Sequence, residues 1–111
     1  MLSDKLTKIA KSVTDAIMET PEHKEYVEQK KLARLSSETM SLIERSRDLQ
    51  KRLMDIPEEN RNSDYAESLQ DEYEEIVENT AVYDFSRAES AYVTMIQEVI
   101  GTIVENVDLD I

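Results

Sequence analysis

The sequence predicts an all-α fold: an antiparallel bundle of four to five helices with a long C-terminal helix, oligomerising through helix packing. Three observations carry this. The 111 residues include one glycine and two prolines, so turn signals are few. Apolar residues recur every three or four positions and nowhere alternate as a half-buried strand requires. Hydrophobic residues make up 40% and charged residues 34%, a balance that suits one modest core. A single domain over residues 1–111 is the expected organisation.

The elements follow in order. Ser3 can cap a first helix running to about Glu19, with Leu6, Ile9, Ala10, Val13, Ala16 and Ile17 on one face. TPEH reads as a restart: Thr20 caps, Pro21 fills the first helical position, and Glu22 complements the helix dipole. The next segment is weakly amphipathic, anchored by Tyr26 and Val27. At Ser36–Ser37 the helix either continues or restarts. Leu35, Thr39, Leu42, Ser46, Leu49, Leu53 and Ile56 then form a heptad seam that Pro57 stops. Thr39 and Ser46 are small polar seam positions. Such residues set register, leave room for a bulky neighbour, or simply sit near solvent.

PEENRNSD is a loop. Asp64 and Glu67 look like a capping pair for the next helix, whose apolar stripe is Tyr65, Leu69, Tyr73, Ile76 and Val77. Asn79-Thr80 makes a tight turn with Thr80 as the expected cap. The last helix should run from about Ala81 to Val107. At 100° per residue its apolar side chains fill an arc of roughly half the circumference. That arc is wider than one neighbouring helix needs, so a second copy of the chain is the expected partner, as a homodimer or higher oligomer. Tyr92, Ile96, Val99, Ile103 and Val107 are the candidate self-association residues. Gly101 falls on the polar side, where it weakens the helix slightly.

Charge is uneven. Residues 1–54 hold 11 Lys and Arg against 9 Asp and Glu, whereas residues 55–111 hold 2 against 16, for a net charge of −12. An acidic half repels nucleic acid and anionic lipid. The acidic surface around Asp71, Glu72, Glu74, Glu75 and Glu78 is a weaker candidate for docking a basic partner, against the plainer reading of a solvated face. Glu89 falls inside the apolar arc of the last helix. A buried carboxylate there needs a donor, for which Arg47 is one choice; alternatively it reaches solvent near the helix start. The basic face from Lys30 to Arg52, with Lys31, Arg34, Arg45, Arg47 and Lys51, offers an RNA-binding alternative. Interleaved Glu28, Glu38, Glu44 and Asp48 make direct nucleic-acid binding the weaker reading.

Chemistry is hard to build from these residues. With no cysteine there is no thiolate nucleophile and no Cys-ligated zinc or iron–sulfur cluster. His23 is the only histidine, so a di-iron site with two Glu-x-x-His motifs is excluded. One glycine cannot make a phosphate loop. No catalytic, metal or cofactor residues are therefore expected, and the protein is read as a non-enzyme. MLSDKLTKIAKSV has no hydrophobic leader, and no apolar run is long enough for a membrane span, so a cytoplasmic location without membrane association is expected.

Three stretches in order resemble the YlbF/YmcA family of small bacterial helical proteins. They are ETPEHKEYVEQKKL, with Glu22 and Tyr26; SLIERSRDLQKRL, with Leu49-Gln50; and NTAVYDFSRAESAYVTMIQEVIGTI, with Asn79, Val82, Phe85, Ala88 and Glu89. The resemblance runs from about Leu6 to Val107. Two positions depart from it: Ser46 stands where an aromatic is frequent, and Thr80 where a proline is. Cysteines tied to iron–sulfur binding in some members are missing here, so that property does not carry over. The resemblance implies an oligomeric, non-catalytic cytoplasmic regulator. It links the chain to competence, sporulation, biofilm or messenger-RNA-processing control, with other family members or a ribonuclease complex as partners.

Overall fold

The computed structural model describes residues 1–107. They form five α-helices: α1 (Asp4–Met18), α2 (Pro21–Arg34), α3 (Ser37–Asp55), α4 (Asp64–Val77) and α5 (Thr80–Asn106). A short 3-10 turn, Glu58–Asn60, lies between α3 and α4. There is no strand among the described residues. The expected all-α class and long C-terminal helix are both present.

Side-chain oxygens decide where the helices begin. Ser3 accepts from the Leu6 amide at 3.2 Å, Thr20 from the His23 amide at 3.2 Å, and Ser36 from the Thr39 amide at 3.2 Å. The Ser36 cap settles the open question at Ser36–Ser37: the chain restarts there. Two expected caps move by one residue. Ser63, not Asp64, caps α4 through the Ala66 amide, and Asp64 becomes the first helical residue. Asn79, not Thr80, caps α5, its Oδ1 accepting from the Val82 amide at 3.2 Å. In both places two polar residues sit side by side and either can supply the oxygen. Capping by the upstream one starts the helix a residue earlier.

The chain divides into two compact units. One is Lys30–Arg87; the other joins Met1–Gln29 to the chain from Ala88 onward. The first holds most of the core. Ile43, Leu49 and Ile56 of α3 are buried, as are Ala66, Leu69 and Ile76 of α4 and Val82 and Phe85 of α5. Leu49 and Val82 are fully enclosed, at 0% exposure. Each such aliphatic side chain contributes about 1.5–3 kcal/mol relative to an exposed one. Helices α3 and α4 pack together. They run antiparallel: Arg45 meets Glu72 midway, while Leu53 and Ile56 lie beside Ala66 at the end near the loop.

The α3 seam differs from the sequence expectation in two places. Leu35 is 81% exposed because the chain turns there between α2 and α3. Ile43, one position past Leu42, is buried instead. Thr39 and Ser46 are buried polar residues. The Ser46 hydroxyl donates to the Ile43 carbonyl at 2.7 Å, which satisfies it inside the helix.

In the second unit, α1 is strongly amphipathic yet has no buried residue. Val13 and Ile17 are half-buried, and Leu6 and Ile9 stay about half open. On the α5 portion, Ala88 is the one buried residue among those described.

Candidate functional site

The apolar arc of α5 is the principal candidate. Its five proposed contact residues occupy three different environments. The Tyr92 ring stacks on Tyr26, with centroids 4.8 Å apart and planes 11° apart. His23 meets the same ring edge-on at 5.5 Å. Such aromatic pairs contribute about 0.5–1.5 kcal/mol each beyond their burial. Tyr92 is thus engaged within its own chain. Val99, with Met95 and Ile103, faces Val13 of α1 across a shallow cavity of about 380 Å³. Ile96 is half-buried, whereas Ile103 and Val107 are open at 49% and 61%.

Helix α1 therefore covers one edge of the arc and leaves the other uncovered. Val93 and Ile100, at 44% and 55% exposure, lie on the uncovered edge. Sequence reasoning placed both within the arc but not among the contact residues. It could not tell which edge the chain's own first helix would take.

The acidic candidates divide as well. Glu72 is held by Arg45 through two hydrogen bonds, from Nε at 2.6 Å and Nη2 at 3.1 Å. This pairing holds the Glu72 carboxyl below its ordinary range and raises the Arg45 guanidinium. Asp71, Glu74, Glu75 and Glu78 are exposed, with Glu74 accepting a hydrogen bond from Gln70. Glu72 is thus tied to α3 by a partly exposed ion pair, and the other four carboxylates are its exposed neighbours.

On the basic face, Asp48 accepts from both Arg45 and Arg52, at 3.1 and 3.0 Å. Arg47 lies over the Phe85 ring at 5.7 Å. Lys31 and Arg34 are exposed, and Lys30 is half-buried. The Gln50 amide donates to the Tyr73 hydroxyl at 2.9 Å, so part of this face is tied to α4. Glu89 is half-buried.

A wide cavity of about 550 Å³ opens where α3 and α4 converge, between Leu53, Ile56 and Ala66 with Arg61 and Asp71 at its rim. No three of His, Cys, Asp and Glu converge as a metal site would require among the described residues. Nor is any helix there long and apolar enough to cross a membrane.

Residues 6–108 match the family described as control of competence regulator ComK, YlbF/YmcA. The chain belongs to the YlbF/YmcA family. The match begins in α1 and runs past the end of α5, so it takes in both units of this YlbF/YmcA protein. The family description is that of a regulator. No curated protein and no solved structure matches the chain.

Proposed function

We propose that this YlbF/YmcA protein is a non-enzymatic regulatory adaptor that works by self-association and by binding protein partners, with residues 1–111 acting as one domain. The observation that carries this is the apolar surface left by α1 and α5. Leu6, Ile9, Ile100 and Ile103 are each about half exposed although their helices are amphipathic. An exposed apolar face of this extent on a small acidic protein marks a contact surface. The family description supports control of competence as the process. The sequence resemblance adds sporulation, biofilm and messenger-RNA processing as related settings in the cytoplasm, with other family members or a ribonuclease complex as partners. The exposed carboxylates Asp71, Glu74, Glu75 and Glu78 form the second, weaker docking surface.

Direct RNA binding by the 30–52 face is the lesser reading. Arg45 and Arg52 already hold carboxylates of their own chain, which reduces the charge available for phosphates. Light scattering on the purified protein tests self-association. A mass of at least two chains is expected, and a strict monomer at high concentration overturns it.

A further inference from the structure

The uncovered edge of α5, extended to the half-buried Ile96, to Ile103 beside the α1-facing cavity and to Val107 just past the helix end, carries a pattern of its own. Val93, Ile96, Ile100, Ile103 and Val107 recur at steps of three, four, three and four, the spacing of a heptad seam. We infer that this seam docks on the same seam of a second copy, antiparallel and centred on Ile100. The inference rests on the self-association reading and specifies its surface, its partner and its orientation.

Three arguments converge. The first is self-complementarity. Turning the helix end for end about Ile100 lays Val93 against Val107 and Ile96 against Ile103, as an interface with two-fold symmetry requires. The second is area. From the fractional exposures, the seam leaves roughly 400 Å² of side-chain surface open. With about 60% of a typical interface apolar, that corresponds to roughly 1,300 Å² buried over both copies, within the range of a stable dimer.

The third argument is charge. A chain of net charge −12 repels its copies over most of its surface. At 100° per residue, Glu98 and Glu105 lie about 140–160° around the helix from Ile100. The seam is therefore a window without carboxylates from Val93 to Val107. Beyond it, Glu89 is half-buried at the N-terminal end. A parallel pair would bring together two helix C-termini, each with a negative dipole end and Glu105 nearby. The antiparallel arrangement separates them.

The absence of cysteine makes the test clean, because every disulfide must come from an introduced residue. Single variants Ile100→Cys, Val93→Cys, Val107→Cys and Glu98→Cys are oxidised mildly, with helicity checked by circular dichroism. Ile100→Cys should form covalent dimers about tenfold or more in excess of Glu98→Cys, because a docked pair has a high effective concentration. Val93→Cys and Val107→Cys should each cross-link poorly alone and well when mixed. Efficient cross-linking of Val93→Cys and Val107→Cys each to itself overturns the antiparallel orientation. A dimer by light scattering in which Glu98→Cys cross-links as well as Ile100→Cys overturns the seam but leaves self-association standing. A monomer by light scattering removes both.

Discussion

Leu49 and Ile103 are both aliphatic residues on long helices, but they belong to different kinds of structure. Leu49 sits in the Lys30–Arg87 unit at 0% exposure. Ile103 sits in the other unit at 49%. One unit encloses its apolar surface with four helical segments, the end of α2, α3, α4 and the start of α5; the other shares a similar stock of apolar residues among α1, the start of α2 and the rest of α5 and encloses almost none of it. The lesson is a division of labour: buried core concentrated in α3–α4 and the start of α5, and exposed apolar surface concentrated in α1 and the remainder of α5.

The sharpest way to break this comparison is to truncate a side chain on each side of it. Leu49→Ala should cost about 2–5 kcal/mol in urea unfolding, since it leaves a cavity in a closed core. Ile100→Glu should instead leave the helical signal intact and convert the assembly to monomers by light scattering, because it places a carboxylate in an apolar seam. If Ile100→Glu unfolded the chain as Leu49→Ala does, the division would be wrong.

A smaller effect is expected at Gly101. A methyl group added there meets nothing within 4 Å, so Gly101→Ala should stabilise the helix by up to about 1 kcal/mol in thermal melts. Unchanged assembly in the same variant would place Gly101 outside the contact surface; loss of assembly would place it inside. The smallest effect belongs to Glu72. Its pKa is lowered by Arg45 in the folded protein, so its contribution is present above the ordinary carboxylate range and disappears as pH falls through the lowered value. Glu72→Gln should therefore be slightly less stable than the natural chain near neutral pH. The difference should vanish in acid, as thermal melts across pH would show.

Much of the fold was legible because helix boundaries rest on local chemistry. Ser3, Thr20 and Ser36 cap within three residues of their partners, and Pro57 stops α3 by lacking an amide proton. Where two polar residues adjoin, at Ser63-Asp64 and Asn79-Thr80, local rules alone did not choose between them. The exposed apolar surface was legible as an arc but not as an edge. Tyr92 and Val99 look like Ile100 in periodicity, and only the positions of Tyr26 and Val13 distinguish them. Likewise, the tie between Arg45 and Glu72 spans 27 residues and depends on the register of α3 against α4. Side-chain spacing within one helix carries no information on that register.

Helix α1 holds no buried residue. Undoing it therefore breaks backbone hydrogen bonds and wets the half-buried Val13 and Ile17 with the α5 residues facing Val13, but opens no fully buried core. Its amide protons should exchange with deuterium through local openings weakly sensitive to denaturant, whereas those around Leu49 should wait for global unfolding. On that expectation the first helix opens and closes many times before the Leu49 core unfolds once.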